Sequence, residues 1–571
     1  MSTVMENGPK APKDPTKKLP GFYIMHNKGV CGSPQPDGRG ITFIYEDSGR
    51  MLNAARMVGN IENEEIIKLL ETTEGFRKLV DSIGVSIESD NRDEIVDFEF
   101  QMYGHKSVYG SGTTLKMSVR ADGMENVLKL DEQEWSDDDN IPGQIRFVFQ
   151  KGGSFANVSV IFYVRPGFEV PPVTEELPVD FNSDNYKKII DKTLMYKGNN
   201  YRLKKAIDKA RKGEDVTVAY IGGSITQGAG AVPINEMCYA RKSFEGFCDL
   251  CGKGYDENIH YIKAGIGGTP SEFGMLRYYK DVCDYGKVSP DVVVVEFAVN
   301  DEGDETKGEC FDSLARMIYN GPGNPAVILE FAVFASDFNL QERLSPVGYA
   351  YELPMVSTKD GVVDQFRLTY ETGRVLTKNQ FFYDVFHPTN NGHRIMADGL
   401  INLFKKADCD EYDEPFDIAN VKPPLGGEFE NVRLLEKGQE FDGVSIDIGE
   451  FTETDTKLQA VERNMDLTVT PQYPDNWMYK GGSNKPFSMD VTASALLILY
   501  KDSSDNEAGQ ADVYVDGEKV LHINPREVGW IHCNPLIVFR GRKLDKYHVE
   551  VKMQPGDEDK EFTIFGFGIV R

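Results

Sequence analysis

Cysteine is scarce in this sequence, and long apolar runs are absent from it. Its eight cysteines are scattered over 571 residues, too thinly for a disulfide scaffold, so a reduced cytoplasm is the simplest expectation. The N-terminal segment lacks the apolar core of a secretory signal, and no later segment has the length of a membrane-spanning helix. These absences predict a cytoplasmic protein and exclude a disulfide-stapled or membrane-embedded one.

Positive charge is also in short supply. The chain has 63 lysines and arginines against 91 aspartates and glutamates, a formal net charge of −28. Nucleic acids and anionic lipids bind basic surfaces, so neither is expected as a partner, and a neutral substrate fits better. The composition gives no indication of the oligomeric state.

The pattern of strands and helices divides the chain into a tail and three domains. Residues 1–20 are polar and rich in proline and lysine, which predicts a disordered tail. Residues 21–175 are mostly strand-like, with a helical stretch over 63–83, and predict an N-terminal β-sandwich. Residues 185–408 alternate apolar strands with helices, which indicates a parallel α/β sheet. Residues 424–571 are strand-like again and predict a second, jelly-roll-like β-sandwich.

One serine follows two glycines at the end of an apolar strand, in the segment VAYIGGSITQGAG. Gly222 and Gly223 allow a sharp turn and a close approach to Ser224. A serine hydroxyl becomes a nucleophile only when a base takes its proton. One of the eight histidines, His387, follows Asp384 by three residues ahead of a predicted helix. Because a carboxylate can orient an imidazole and stabilise its charged form, this pair is the candidate base and its orienting acid.

Two candidate hydrogen-bond donors follow the next two strands of the same domain. Gly268 stands in KAGIGGTPSEFG, after the second strand, and Asn300 ends VEFAVND, after the third. The carboxyl ends of parallel strands meet at one edge of a sheet, where open α/β sheets bind ligands. A backbone N–H of Gly268 and the amide of Asn300 are suitable donors to a developing oxyanion.

These segments, in this order, resemble the four blocks of the SGNH superfamily, the GDSL-type esterases. Ser224, Gly268, Asn300 and His387 match the family's invariant Ser, Gly, Asn and His, and Asp384 matches the Asp of its Asp-x-x-His block. Each motif alone is weak, whereas the ordered set of four is specific.

The resemblance covers residues 185–408 and implies both a fold and a site. The expected fold is α/β, a flavodoxin-like three-layer domain with a parallel sheet, flanked here by N- and C-terminal β-sandwich domains. The expected catalytic residues are Ser224, Asp384 and His387. The expected oxyanion hole consists of the N–H groups of Ser224 and Gly268 and the amide of Asn300. This chemistry requires no metal and no cofactor.

Three positions depart from the usual family pattern. Gly223 replaces the Asp of the GDS form, as in a variant found among carbohydrate esterases; Lys263 stands where block two often has Asn; and Ala298 replaces the glycine of GxND. None of these changes removes a catalytic atom. The nucleophile elbow of α/β-hydrolases is the nearest competing motif, but it needs Gly-x-Ser-x-Gly, and Thr226 stands two residues after Ser224.

This architecture, an SGNH core flanked by β-sandwiches, resembles that of bacterial enzymes that deacetylate plant polysaccharides, such as acetylxylan esterases. The resemblance implies a serine carbohydrate esterase that removes O-acetyl groups from oligosaccharides, with acetylated xylo-oligosaccharides as the expected substrate. Trp530 and His532 are candidate sugar-binding residues, because aromatic faces suit sugar rings. A structural role in the C-terminal domain is the alternative for both.

Two other functions remain open. One is a lipid or aryl esterase, or a thioesterase, of the same superfamily, which would be expected to show an apolar acyl channel or a basic phosphate patch. The other is a non-catalytic carbohydrate-binding protein, which would not need the complete set of Ser, Gly, Asn, Asp and His at the site. Neither an acyl channel nor a basic patch is evident in the sequence.

Some polar and sulfur-bearing residues favour structural roles. Cys248 and Cys251 lie on the apolar face of a predicted helix and are expected to be buried packing residues rather than metal ligands. Asp301 is expected to cap a helix or to form hydrogen bonds within a loop. His393, on the predicted last helix of the central domain, is expected at the surface.

Overall fold

The computed structural model describes residues 19–173, 176–255, 257–465 and 469–571. The predicted disordered tail therefore lies outside the described residues, apart from its last two positions. The chain forms two compact units. Unit 1 comprises Met1–Asp180 and Gln365–Gly392, and unit 2 comprises Phe181–Asp364 and His393–Arg571.

The helices and strands are numbered in chain order. The helices are α1 (Arg50–Met57), α2 (Glu64–Leu69), α3 (Thr73–Leu79), α4 (Asp184–Thr193), α5 (Tyr201–Arg211), α6 (Ser224–Gln227), α7 (Ile234–Met237), α8 (Tyr239–Cys251), α9 (Ser271–Asp281), α10 (Glu309–Tyr319), α11 (Gln341–Ala350), α12 (Thr358–Phe366), α13 (Lys378–Phe381) and α14 (Asn390–Cys409). The first fifteen strands are β1 (Gly21–Cys31), β2 (Ser33–Pro34), β3 (Gly40–Tyr45), β4 (Val80–Glu88), β5 (Ile95–Gly104), β6 (Thr114–Arg120), β7 (Asn126–Lys129), β8 (Asp139–Phe149), β9 (Phe155–Val164), β10 (Leu194–Tyr196), β11 (Val216–Gly222), β12 (Ile259–Gly265), β13 (Val292–Glu296), β14 (Ala326–Phe331) and β15 (Met355–Ser357). The remaining strands are β16 (Arg433–Glu436), β17 (Val444–Asp447), β18 (Ala460–Glu462), β19 (Val469–Pro471), β20 (Trp477–Lys480), β21 (Phe487–Ala493), β22 (Ala495–Asp502), β23 (Ala511–Val515), β24 (Glu518–Ile523), β25 (His532–Phe539), β26 (Asp545–Met553) and β27 (Glu561–Val570).

Unit 1 contains two antiparallel sheets that share one hydrophobic core. Their strand orders are β1-β9-β4-β7 and β2-β3-β8-β5-β6. Alternate side chains point inward, as Phe98 and Phe100 on β5 and Phe162 on β9 show, because successive residues of a strand face opposite sides of a sheet. The helix predicted over 63–83 is shorter than expected. It is the pair α2 and α3, and β4 begins at Val80, where β-branched residues favour a strand.

The central sheet of unit 2 has the order β10-β15-β14-β13-β11-β12. Strands β11 to β15 are parallel, and only the edge strand β10 runs antiparallel to its neighbour. Numbered among themselves, the five parallel strands follow the order 2-1-3-4-5, that of flavodoxin-like sheets. The predicted parallel α/β sheet is therefore confirmed.

Helices cover both faces of this sheet. On β13, Val293 belongs to one hydrophobic core together with Leu276 of α9, whereas its neighbour Val294 belongs to another core with Phe244 of α8. All five residues of β13 are buried, which explains why this strand is an unbroken apolar run rather than an alternating one.

The C-terminal part of unit 2 contains two further five-stranded sheets and a small two-stranded one. The first has the order β16-β27-β22-β25, with β20 also pairing with β27; the second is β17-β21-β26-β23-β24; and the third is β18-β19. Trp477, Phe567 and Val551, from both larger sheets, share one core. Leu497 and Phe565 instead join the core that contains Leu276 of α9. The first sheet thus packs on the central domain of the same unit.

Within the part of the chain that the structure describes, none of the helices has both the length and the apolar character needed to cross a bilayer.

Candidate active site

Ser224 lies at the switch point of the central sheet of unit 2. It lies two residues after the end of β11, behind Gly223, and begins the one-turn helix α6. Strand β11 lies between β12 and β13, so the connections that follow β11 and β13 leave the sheet on either side of a crevice. Ligands of open α/β sheets bind at such a crevice, outside the carboxyl ends of the strands. Asn300 follows β13 by four residues and belongs to the same edge.

Asn300 packs against Gly223, the glycine that precedes Ser224. A Cβ placed on Gly223 would overlap with the Asn300 side chain at a distance that real Cβ atoms do not show. The Oδ1 atom of Asn300 is buried and has no hydrogen-bond partner among the described residues. The glycine in place of the usual Asp therefore has a steric reason here, because it makes room for the amide.

The loop after β12 brings two more glycines to this crevice. A Cβ placed on Gly267 would lie 3.8 Å from the Cβ of Ser224, so the two backbones pass close to each other. Gly268 has a φ angle of +73°, in the left-handed region that side chains other than glycine rarely adopt. The structure thus brings Ser224, Gly268 and Asn300 together at one edge of unit 2.

Both aromatic candidates of the C-terminal domain contact this loop. A Cβ on Gly268 would lie 2.5 Å from the Trp530 ring, and the ring of His532 lies 4.7 Å from that of Trp530 between centroids. Trp530 is 41% exposed, whereas His532 is 5% exposed. Nε2 of His532 donates a hydrogen bond of 2.8 Å to the carbonyl oxygen of Gly268.

Lys263, one of the departures from the family pattern, supports the helix α6, which begins at Ser224. Its buried Nζ donates hydrogen bonds to the carbonyl oxygen of Gln227, at 2.7 Å, and to Oδ1 of Asn235, at 2.5 Å. Burial lowers the pKa of this ammonium group. Lysine at this position therefore anchors the end of α6.

Two buried charged residues near Ser224 were not predicted from the sequence. Arg277 of α9 is fully buried, and its guanidinium donates to the carbonyl oxygens of Gly222, at 2.8 Å, and Ala264, at 2.7 Å. It therefore joins the carboxyl ends of β11 and β12. Glu296, at the end of β13, is also fully buried, and burial raises its pKa to about 8. Glu296 interrupts the apolar run VVVVEFAV, and this lone charge was the available signal. Arg277 shares its helix with Glu272, Lys280 and Asp281, so its burial has no such signal.

Asp384 and His387 form a tight pair within unit 1. Nδ1 of His387 lies 2.8 Å from Oδ2 and 3.1 Å from Oδ1 of Asp384. Oδ1 also accepts hydrogen bonds from the backbone N–H groups of Phe386, at 2.7 Å, and His387, at 2.8 Å. Burial by itself raises the pKa of Asp384, but these hydrogen bonds and the His387 charge outweigh it and lower the pKa. The ionised carboxylate requires a proton on Nδ1, which leaves Nε2 as the basic nitrogen.

Hydrogen bonds within the loop and from β1 stabilise the loop that carries this pair. Its backbone closes through a hydrogen bond of 2.7 Å from the N–H of Tyr383 to the carbonyl oxygen of His387. The buried Nζ of Lys28, on β1, donates to the carbonyl oxygens of Asn379 and Phe382, both at 2.5 Å. The histidine and its carboxylate thus lie in a loop of unit 1 whose backbone is hydrogen-bonded to the rest of that unit. Their cooperation with Ser224, which lies in unit 2, stays a prediction.

The residues expected to be structural have mixed outcomes. Cys248 and Cys251 are buried, as predicted, and Oδ1 of Asp301 accepts a hydrogen bond of 2.8 Å from the N–H of Ser271. The surface position predicted for His393 is wrong. This residue is fully buried, with Nδ1 accepting from the N–H of Tyr239 and Nε2 3.0 Å from the carbonyl oxygen of Ala229. Across the described residues, no three His, Cys, Asp or Glu side chains form a cluster suited to a metal ion.

No family model and no curated protein matches this chain. The fold does match two solved structures of a two-domain esterase (CEX) active on acetylated mannans, one of them co-crystallised with mannopentaose. Each is 24% identical to this chain, covers 67% of it and has a TM-score of 0.55; the match spans 98% of the chain with mannopentaose and 99% of the other. The predicted resemblance to carbohydrate esterases is thus confirmed at the level of the fold.

A family two carbohydrate esterase from Cellvibrio japonicus aligns as well, at 10% identity over 68% of this chain and 98% of that chain. Its TM-score of 0.24 is too low to establish a common fold.

Proposed function

We propose that this protein is a serine esterase that removes O-acetyl groups from oligosaccharides of plant polysaccharides. The observation that carries the proposal is the meeting of Ser224, Asn300 and the Gly267–Gly268 backbone at the switch point of the sheet. A hydroxyl beside several hydrogen-bond donors is the arrangement that acyl transfer requires. The Asp384–His387 pair, with Nε2 left basic, supplies the matching base.

The reaction would proceed in two halves. Oγ of Ser224 attacks the acetyl carbonyl carbon while Nε2 of His387 takes its proton. The tetrahedral oxyanion accepts hydrogen bonds from the N–H groups of Ser224 and Gly268 and from the amide of Asn300. When it collapses, the sugar oxygen leaves with the proton from His387. Water, deprotonated by the same nitrogen, then attacks the acetyl carbon of the acetyl-serine. The bond to Oγ breaks, Ser224 takes the proton back from His387, and acetate is released.

The acyl group is expected to be small, and the alcohol to be a sugar. The half-exposed ring of Trp530 beside Gly268 offers an apolar face of the kind on which sugar rings stack. The sequence predicts acetylated xylo-oligosaccharides, and the fold neighbour is described as active on acetylated mannans. We therefore propose an acetylated xylan- or mannan-derived oligosaccharide and compare the two directly in the test below.

We also retain the sequence-based domain plan, with β-sandwiches over 21–175 and 424–571 flanking the catalytic domain at 185–408. The shared cores of the paired sheets support it in each unit. The jelly-roll-like connectivity of the C-terminal pair and the cytoplasmic location belong to the same proposal.

The decisive experiment replaces the nucleophile. Ser224→Ala is expected to leave the melting temperature unchanged and to abolish hydrolysis of both a small aryl acetate and acetylated oligosaccharides, as measured by acetate release. Retained hydrolysis would refute the assignment. His387→Gln is expected to give the same loss, because Ser224 then lacks its base.

Substrate choice separates the remaining alternatives. Turnover is measured on acetylated xylo-oligosaccharide, acetylated manno-oligosaccharide, a long-chain aryl ester and an acyl-CoA. A preference for the long-chain ester or acyl-CoA would indicate a lipid esterase or thioesterase. Binding of oligosaccharide without any Ser224-dependent turnover would indicate a non-catalytic carbohydrate-binding protein.

A further inference from the structure

The loop that carries Gly268 is anchored by side chains of the C-terminal domain. Loop Gly267–Gly268 has no side chains of its own, and glycine backbones are the most mobile in solution. A hydrogen-bond donor lowers a reaction barrier most when it is held in place before charge develops. Whatever holds this loop therefore bears directly on the proposed chemistry.

Gln459 holds the peptide group that supplies the proposed N–H. Its Nε2 donates a hydrogen bond of 2.9 Å to the carbonyl oxygen of Gly267, while its Oε1 accepts one of 2.9 Å from the N–H of Cys533. The carbonyl of Gly267 and the N–H of Gly268 belong to one planar trans peptide and point in opposite directions. Fixing the oxygen thus fixes the direction of the N–H.

His532 holds the next peptide group. Its Nε2 lies 2.8 Å from the carbonyl oxygen of Gly268, and its Nδ1 lies 3.1 Å from Oδ2 of Asp502. A carbonyl oxygen can only accept, so Nε2 carries a hydrogen whichever member of the His–Asp pair holds the shared proton. Asp502 is fully buried and accepts a further bond of 2.8 Å from Asn534. The imidazole is therefore fixed at both ends.

The opposite side of the loop is fixed from the nucleophile helix. The N–H of Gly267 donates a hydrogen bond of 2.9 Å to Oε1 of Gln227, whose Nε2 in turn lies 2.5 Å from Oε2 of Glu462. Glu462 lies on β18, three residues after Gln459. Gln459 thus contacts the loop directly on one side, and Glu462 supports it through Gln227 on the other.

From these contacts we infer that Gln459 and the His532–Asp502 pair are positioning residues, which orient the backbone N–H of Gly268 toward the oxyanion. The inference rests on the proposed esterase function. It assigns His532 to support of the Gly267–Gly268 loop rather than to sugar binding, since both of its ring nitrogens are already engaged. The C-terminal domain then contributes to catalysis on every ester, not only to recognition of carbohydrate.

Two substitutions remove one donor each with little change in shape. Gln459→Glu replaces the donating Nε2 by an oxygen and keeps an acceptor for Cys533. In His532→Asn, the amide nitrogen can still reach Asp502, but nothing reaches the carbonyl of Gly268. In His532→Gln, the longer side chain places an amide nitrogen near the former Nε2. His522→Asn is the matched control, because it removes a histidine that is also paired with an aspartate. His522 lies on the edge strand β24, and its Nδ1 is 2.9 Å from Oδ1 of Asp512.

The expected result is a loss of kcat without a matching change of KM. Gln459→Glu and His532→Asn should each lower kcat by about 10- to 100-fold, the size of effect that a misplaced group produces. The factor should be the same on an aryl acetate and on an acetylated oligosaccharide. His532→Gln should recover part of the loss, and His522→Asn should match the wild type. Unchanged kcat, or a loss confined to the oligosaccharide, would overturn the inference.

Hydrogen exchange measured by mass spectrometry provides a readout that does not depend on activity. Amides in residues 263–270 should exchange faster in His532→Asn and Gln459→Glu than in the wild type and in His522→Asn, at equal melting temperature. Unchanged exchange in this segment would contradict the positioning role. If wild-type protein shows no Ser224-dependent hydrolysis, the proposed function fails, and the exchange data still decide whether these residues hold the loop.

Discussion

Gly223 and Asn300 show, at the scale of single residues, how a missing side chain shapes the site. The amide of Asn300 occupies the space that a Cβ on Gly223 would need. An aspartate at this position, as in the GDS form, would therefore require the amide to move. The glycine at position 223 and the position of the Asn300 amide, the proposed oxyanion donor, are thus sterically linked.

A methyl group at this position tests that relation. Gly223→Ala should displace the Asn300 amide and lower kcat by about 100-fold, with KM nearly unchanged, because one oxyanion donor is lost. Gly303→Ala is the control, since a Cβ there meets no atom within 4 Å. Steady-state kinetics on an aryl acetate decide the matter. Wild-type kcat in Gly223→Ala would show that the amide is not a donor.

The buried carboxyl group of Glu296 makes the stability of the folded protein depend on pH. Burial raises its pKa from 4.5 to about 8, and its Oε1 has no hydrogen-bond partner among the described residues. Between these two pH values the folded protein keeps a proton that the unfolded chain loses. The free energy of unfolding therefore falls as pH rises through this window, and the loss is complete above about pH 8.

Removing the charge should remove this dependence. Glu296→Gln is expected to raise the melting temperature at about pH 8.5 and to leave it nearly unchanged at about pH 4.5, by the linkage just given. Glu342→Gln, at an exposed position of α11, should change neither value. Calorimetry at both pH values makes the comparison. An equal shift at the two values would mean that packing, not ionisation, limits stability at this position.

At the scale of secondary-structure elements, the site depends on the register between neighbouring strands. Gly222 of β11 pairs with Gly265 of β12 and with Glu296 of β13, so the three strands end at the same level. Arg277 of α9 bonds to the carbonyl oxygens at the ends of β11 and β12 and pairs with Asp281 at 3.2 Å. A helix on one face of the sheet thus joins the strand ends that carry the site.

Loss of this arginine should weaken the whole unit. Arg277→Met leaves two buried carbonyl oxygens and the buried carboxylate of Asp281 without this partner, so unit 2 should lose about 3–5 kcal/mol of stability. Arg394→Met is the control. Arg394 is 51% exposed and lies 3.6 Å from Asp398, and such surface pairs contribute less than about 1 kcal/mol. The melting temperature of the unit 2 transition reports both. Similar shifts in the two variants would contradict the proposed role of Arg277.

At the scale of the whole molecule, the C-terminal sheets of unit 2 complete the core of its central domain. Leu497 and Phe565 share a hydrophobic cluster with Phe273 and Leu276 of α9. Without the C-terminal sheets, the apolar face of α9 would be exposed to water. Exposed apolar patches of this kind lead to association or misfolding.

Truncation tests this dependence. A chain ending near residue 420 is expected to be insoluble or to melt at a much lower temperature. It should also lose activity equally on aryl acetate and on oligosaccharide, because both the core and the Gly267–Gly268 loop lose their support. Sedimentation and activity assays measure the outcome. A soluble truncated chain with full aryl-acetate activity would show that the C-terminal sheets serve only carbohydrate recognition.

Local patterns in the sequence were sufficient to identify most elements and to nominate the candidate site residues, whose roles stay predictions. The apolar runs before Ser224 and Asn300 are strands, and the Asp-Gly pair at 516–517 joins β23 and β24 through two positive φ angles. These features depend on residues close together in the chain, so periodicity and turn chemistry reveal them. The ordered motifs likewise predicted a parallel sheet with its site at the carboxyl edge.

Only the tertiary structure determined how that edge is built. The bond from His532 to Gly268 joins residues 264 positions apart, and the burial of His393, Arg277 and Glu296 follows from elements that pack against them. The sequence does not indicate the partner of each group, because that partner is set by the arrangement of distant strands and helices. The types of chemical group were therefore readable from the sequence, whereas their support, burial and ionisation required the folded chain.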